Sequence, residues 1–375
     1  MKILFWICLT AIVYPYLIYP AVLVAINRLA RLKPHAPAPD YLPSVTVLMP
    51  VHNEAGRVPA KIANLLALDY PASQLQIVAI ADGCTDDSVA RLRAAASGRV
   101  EILELAHWSG KAAALNAGLE RAGGDIVVFT DVGIQLERGA LKALVAHFAD
   151  PAIGCVSGED YIAGADSEGL YGRLELLLRR EEARLHSIAG ASGCFYGQRR
   201  ELCKPFVPGM APDFLSVLVT VAAGRRALAE SAARGSMTST SSQKAEFTRK
   251  TRTFLRGITA LAGNARLLNP FAYPRMSFIL WSHKAMRWLA PIAMLGCLVA
   301  AWQLRAETFY AVALALQVAA YSVAVAAMLW PRVMARLAMA RLAGFFLIVN
   351  LAALKALWQW ITGVRVEIWE PTRRP

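Results

Sequence analysis

The chain has 375 residues, 56% of them from the AVILMFWYC set and only 18% charged, with a mean hydropathy of +0.41. That balance excludes a disordered chain and a wholly soluble one. Lys and Arg number 40 against 27 Asp and Glu, a net +13 that suits the cytoplasmic face of an anionic bilayer; without a recognition motif it argues against a nucleic-acid partner.

From Ile3 to Asn27 no residue is charged. At about 1.5 Å per residue, such a stretch crosses a hydrocarbon core of about 30 Å. Arg28, Arg31 and Lys33 follow at once, which places the next segment in the cytoplasm by the positive-inside rule. The run is longer than the apolar core of a signal peptide and shows no small-residue cleavage site, so residues 1–27 read as an uncleaved anchor.

Residues 41–245 alternate short apolar runs with amphipathic ones, the pattern of βα units around a largely parallel sheet. Strands are expected at Val45–Met49, Leu75–Ala81, Val100–Leu105, Ile126–Thr130 and Ile153–Ser157, and helices at 57–67, 86–96 and 111–122 and around Leu141–Phe148. The six cysteines, Cys8, Cys84, Cys155, Cys194, Cys203 and Cys297, form no CxxC pair. They read as reduced and mostly buried rather than as a zinc site or a disulfide framework.

Residues 246–287 open with an apolar stripe, Phe247, Phe254, Leu255, Ile258 and Leu261, flanked by Arg249, Lys250, Arg252 and Arg256, an amphipathic basic helix suited to the bilayer interface. Residues 288–364 form a membrane region. Trp288–Leu304 and Thr308–Pro331 are uncharged and joined by Arg305, Ala306 and Glu307, a helical hairpin whose next connection, with Arg332, Arg336 and Arg341, belongs inside. Leu342–Val364 carries Asn350, Lys355 and Gln359. It either crosses, leaving Arg365, Arg373 and Arg374 outside against the charge rule, or re-enters.

In an open α/β sheet, ligands sit beyond the carboxyl ends of the strands. Here those ends supply Pro50-Val51-His52-Asn53-Glu54, then Asp82-Gly83-Cys84-Thr85-Asp86-Asp87, then Ser109-Gly110-Lys111, then Asp131. Together they make an acidic, hydrogen-bonding cleft.

These strings, with Ala114-Leu115-Asn116 after Gly110-Lys111 and Phe129-Thr130 before Asp131, stand in the order and at the spacing of one family. The chain resembles the family 2 glycosyltransferases, in their membrane-anchored, cellulose-synthase-like branch. Gly193–Arg200, Pro212-Asp213-Phe214, Phe247–Arg252, Ser282-His283-Lys284 and Arg287-Trp288 extend the likeness. The resemblance implies a GT-A type, Rossmann-like catalytic domain in the cytosol, bound to the inner membrane by helices at both ends. It also implies a nucleotide-sugar donor, favoured as UDP-linked, and a lipid-linked or polysaccharide acceptor, and it admits other membrane proteins of polysaccharide pathways as partners.

By that likeness Pro50, Asn53, Glu54 and Asp82 contact the nucleotide, and Lys111 at a helix start takes phosphate or a uracil carbonyl. Turn and capping roles compete for Asn53 and Asp82, although Thr85 is the more natural cap for 86–96. Asp131 is the expected ligand of Mg²⁺ or Mn²⁺ on the diphosphate. The family usually has Asp-x-Asp, whereas this chain has Asp131-Val132-Gly133, so the second carboxylate is absent and metal dependence is open. Asp213 is the candidate general base, with a helix N-cap as its structural alternative, and Arg249 and Arg252 are candidate diphosphate contacts. The branch's Gln-x-x-Arg-Trp string is missing, which favours single sugar addition over a processive synthase. A nucleotide-sugar-binding scaffold that has lost catalysis is the reading from another class.

Overall fold

The computed structural model describes residues 1–162, 169–238, 243–330 and 337–364. Arg332, Arg336, Arg365, Arg373 and Arg374, which entered the topology reading, lie outside the described residues. The chain divides into two compact units, one of Met1–Val22, Ser241–Ile258 and Phe278–Arg365, the other chiefly of Leu23–Thr240 with Thr259–Ser277.

The first unit holds most of the chain's longest apolar helices. Among the described residues, Lys2–Leu29, Pro274–Gln303, Thr308–Leu329 and Met339–Ile361 are long and apolar enough to cross a membrane. The segment left open above is thus one continuous helix of sufficient length, and two of its polar side chains, Asn350 through its amide nitrogen and Lys355, find neighbours, while Asn350 Oδ1 is buried without a partner among the described residues. Asn350 donates to the Phe346 carbonyl at 2.8 Å, and the Lys355 ammonium lies 5.4 Å from the centre of the Phe247 ring. Two helices widen into π turns, at Tyr14–Ile18, where Pro15 removes a donor, and at Leu280–Ala285. The Tyr14 hydroxyl and Ser282 Oγ meet there at 2.8 Å.

The second unit is built on an eight-stranded sheet: β1 (Val45–Val51), β2 (Leu75–Asp82), β3 (Glu101–Leu105), β4 (Ile126–Thr130), β5 (Ile134–Leu136), β6 (Ile153–Ile162), β7 (Phe195–Arg199) and β8 (Arg226–Met237), in spatial order β3-β2-β1-β4-β7-β6-β8-β5. The half formed by β3, β2, β1 and β4 is parallel throughout, as the alternating pattern predicts. Beyond β4 the sheet is mixed, because β7 runs antiparallel to both β4 and β6, and β5 antiparallel to β8. Helices Val58–Leu66, Ser88–Ala95, Lys111–Arg121 and Ala140–Val145 fall where the periodicity places them. The core includes Met49, Ile62, Leu65, Val128, Leu144 and Phe148, each 0–1% exposed and each worth about 1.5–3 kcal/mol of transfer free energy. β1 leads to β2 on one side and neighbours β4 on the other, so the strand order reverses at the carboxyl ends of β1 and β4, where such sheets open a crevice.

A chain of four side chains fastens the segment before β1 to the back of this sheet. His35 Nε2 reaches Asp150 at 3.0 Å, the two Nδ1 atoms of His35 and His147 face each other at 2.9 Å, and His147 Nε2 reaches Glu230 at 2.5 Å. Two facing ring nitrogens at that distance need one proton between them. The Asp150 carboxyl is held below its usual range by the Ala152 amide and by His35. At Glu230 burial pushes the carboxyl up, but the bonds from His147 and Ala232 outweigh it and hold it below its usual range. Depressed carboxyls contribute stability that is present above their unfolded value of about 4 and is lost as pH falls through the lower folded values. The thermal midpoint is therefore expected to drop on acidification below about pH 4, and the drop to be shallower in Glu230→Gln, as scanning calorimetry across that range reads directly.

Candidate active site

β1 stays extended through Pro50, which costs no ladder bond because pairing to β4 has already ended at Leu48. The chain then turns at Asn53, which takes the left-handed conformation at φ 53° that Asn tolerates better than most residues. Its side-chain oxygen accepts from the Thr85 amide at 2.8 Å, and its amide donates to Thr85 Oγ1 at 3.1 Å. Asn53 thereby ties the loop after β1 to the loop after β2, the turn role weighed for it above. Glu54 faces Arg57 Nη1 at 3.2 Å. Burial raises its carboxyl above the usual range, and although Arg57 opposes this, the charges of Asp131 and Asp86 push in the same direction as burial.

The loop after β2 depends on Gly83, whose φ is 55° and where a Cβ would stand 2.1 Å from the Trp108 backbone nitrogen. That close approach carries the loop after β3 inward. Asp82, 3% exposed, accepts from the Ser109 amide at 2.7 Å and the Gly110 amide at 2.8 Å, one on each oxygen. It is thus the anchor of the turn that delivers Lys111. The cap expected of Thr85 is not made; Asp86 accepts from the Ser88 amide at 2.9 Å instead, and Thr85 serves Asn53. His52 stacks on Trp108, with ring centres 4.5 Å apart and planes within 11°, a flat wall at the mouth of these loops.

At the centre Lys111 Nζ donates to Asp131 Oδ1 at 2.5 Å and to the Gly193 carbonyl at 3.0 Å. Burial disfavours the ammonium, but Asp131 outweighs it, with help from Asp213, and the pKa ends above the ordinary lysine value. The Asp131 amide donates to the Cys194 carbonyl at 3.1 Å. Asp213 joins from the other side: a Cβ on Gly193 would stand 3.6 Å from its carboxyl carbon. Asp213 is the second residue of helix Pro212–Ala222, whose N-cap is Ala211, and its side chain makes no cap bond. The N-cap alternative is therefore corrected, because Pro212, with no N–H to satisfy, starts the helix one residue earlier. Among the described residues no group donates to the Asp213 carboxylate.

Lys61 is the residue that the sequence reading missed. It is 0% exposed, and its ammonium donates to Thr130 Oγ1 at 3.1 Å and to the Ile134 carbonyl at 2.7 Å, directly behind Asp131. Burial pushes it down to about 7, against the pull of Asp131. A signal was there: position 61 shares the apolar face of Val58, Ile62 and Leu65. Arg249 and Arg252 belong to the membrane unit, where Arg249 grips Glu246 through two bonds of 2.9 and 2.7 Å.

Asp131 Oδ2 accepts no hydrogen bond among the described residues, and the side chain is 25% exposed. That free oxygen fits a divalent cation arriving with a diphosphate. No cluster of three or more His, Cys, Asp or Glu able to hold a metal exists among the described residues, so the other ligands would be diphosphate and water oxygens, which Mg²⁺ accepts.

Comparison with known proteins agrees with this architecture. Residues 46–205 match the family described as glycosyl transferase family 2. A pre-mycofactocin glycosyltransferase of Mycobacterium tuberculosis is 31% identical over 167 residues, 40% of this chain and 33% of that protein. A poly-beta-1,6-N-acetyl-D-glucosamine synthase of Staphylococcus aureus is 25% identical over 166 residues, 42% of this chain and 39% of that one. The chain thus spans well under half the length of these curated relatives. Among solved structures, a mannosyltransferase from Pyrobaculum calidifontis, in complex with GDP-Man and Mn²⁺, superposes over 96% of this chain and 99% of its own with a TM-score of 0.76 at 23% identity, a likeness of fold, the GT-A type.

Proposed function

We propose, from the match of residues 46–205 to glycosyl transferase family 2, that the chain is a membrane-bound inverting glycosyltransferase. It would move a sugar from a nucleotide diphosphate to a lipid-linked or polysaccharide acceptor at the cytoplasmic face of the inner membrane. The observation that carries this is the meeting of Lys111, Asp131 and Asp213 around Gly193, at the reversal of strand order. A cation, a carboxylate with an open oxygen and a second, undonated carboxylate are what the reaction needs in one place.

In this reading the acceptor hydroxyl attacks the anomeric carbon opposite the leaving diphosphate, the carbon–oxygen bond to that diphosphate breaks, and Asp213 receives the hydroxyl proton. Lys111 neutralises charge gathering on the diphosphate. Mg²⁺ or Mn²⁺, held by Asp131 Oδ2, would add Lewis-acid neutralisation of the same charge. Pro50, Asn53, Glu54 and Asp82 shape the nucleoside end, with Asp82 acting through the Ser109–Gly110 turn. The four apolar helices and the positive-inside pattern support the location.

Membranes containing the protein, incubated with UDP- and GDP-linked sugars with and without Mn²⁺, are expected to release nucleoside diphosphate and label one product that carries one added sugar. A ladder of products on a gel would favour a processive synthase, as the poly-N-acetylglucosamine relative suggests. Binding without release from any donor would favour the lapsed scaffold.

A further inference from the structure

An ammonium with no exposure, satisfied only by neutral oxygens, is an expensive choice for a core position, because such a charge loses its hydration and gains no counter-charge in contact. Methionine or leucine would fill the same volume at lower cost. Lys61 therefore holds something that the chain needs held. Its two acceptors, Thr130 Oγ1 at 3.1 Å and the Ile134 carbonyl at 2.7 Å, lie on either side of the Asp131-Val132-Gly133 turn. One helical turn along, Asn64 donates to the Leu136 carbonyl at 2.7 Å and accepts from the Leu136 amide at 2.9 Å. Positions 61 and 64 share one face of helix Val58–Leu66, so one rigid rod grips the strand–turn–strand that carries Asp131 at both ends.

We propose that Lys61 and Asn64 form a clamp that positions Asp131, doing by backbone fixation what a second acidic residue in the turn would otherwise share. With Gly133 in the place of that acidic residue, the aim of the diphosphate site rests on one carboxylate, and a turn free to swing would lose it. Lys111 takes one oxygen of Asp131 from the cleft side while the clamp fixes the backbone from behind, leaving Oδ2 presented. The catalytic consequence, though not the clamp itself, rests on the glycosyltransferase reading above.

Two readouts test it on the full-length protein in detergent. In Lys61→Met, and separately in Asn64→Leu, amide exchange over residues 130–136 is expected to rise while that over 45–51 stays as in the wild type. The kcat/KM for donor is expected to fall about 10- to 100-fold, the range typical when a group orienting a ligand is removed, mostly through donor KM, with acceptor KM unchanged. A merely structural loss would lower the active fraction, and so kcat, and leave donor KM alone. Unchanged exchange over 130–136 in both variants, or a wild-type donor KM, overturns the clamp. If the wild type transfers no sugar from any donor, it is the functional reading that fails, and exchange still decides whether the turn is clamped.

Discussion

Asp213→Asn is expected to cut kcat about 100- to 10,000-fold, the range that proton transfer by a positioned base contributes, with donor KM and thermal midpoint close to wild type. The setting makes this substitution an unusually clean one. Asp213 lies in the first turn of Pro212–Ala222, between the buried Pro212 and Phe214, so the backbone is fixed by its neighbours and not by the carboxylate. No described group donates to that carboxylate, so the isosteric amide orphans no buried donor, the usual source of a large stability loss. What the amide lacks is the basicity to take a proton from an acceptor hydroxyl. Transfer rates and donor titrations on the same preparation decide the matter. A turnover near wild type would remove Asp213 from the chemistry and send the search for the base to Glu54, whose carboxyl burial already raises.

The parts of the fold that were legible and the parts that were not differ in chemistry. β1, β2 and β4 announce themselves as β-branched runs buried on both faces, and the residues just past them can be picked out because a parallel sheet delivers ligands only there. β8 reads Arg-Ala-Leu-Ala-Glu-Ser-Ala-Ala-Arg-Gly-Ser-Met, a string of helix formers with no β-branched residue, and it is a strand only because β6 on one side and β5 on the other complete its hydrogen bonds. β7 comes into view only as part of the Gly193–Arg200 likeness, and its direction, antiparallel to β4, depends on a connection whose path no local pattern encodes. In the site, Asp82 could be located but not its work, since holding the Ser109 and Gly110 amides depends on how closely Gly83 lets the next loop approach. Lys61 was hidden for the opposite reason. A lysine in a helix is read as solvated, and only the oxygens of Thr130 and Ile134 make its burial tolerable.

Lys111→Met is expected to lower kcat/KM for donor about 100- to 1,000-fold, the cost of deleting one preorganised donor to developing negative charge, and to weaken nucleoside diphosphate binding even in the absence of metal. Methionine keeps most of the stem that packs at the start of helix Lys111–Arg121, so what is lost is the charge. The charge matters twice. In the proposed reaction it neutralises the diphosphate, and in the structure it holds Asp131 Oδ1 and the Gly193 carbonyl together, the contacts that join the β4 end to the segment facing Asp213. Because the pKa of Lys111 lies above the ordinary value, the ammonium stays charged through neutral pH, and the defect in the variant is expected to be flat from about pH 6 to 8. Asp131→Asn is expected to resemble it in turnover but to differ in metal response, losing its dependence on Mn²⁺ concentration while Lys111→Met retains one. The two residues touch, so the double variant should fall short of the product of the single effects. Wild-type affinity of Lys111→Met for nucleoside diphosphate, measured by calorimetry without metal, would mean that Lys111 serves Asp131 alone and that the diphosphate is neutralised elsewhere.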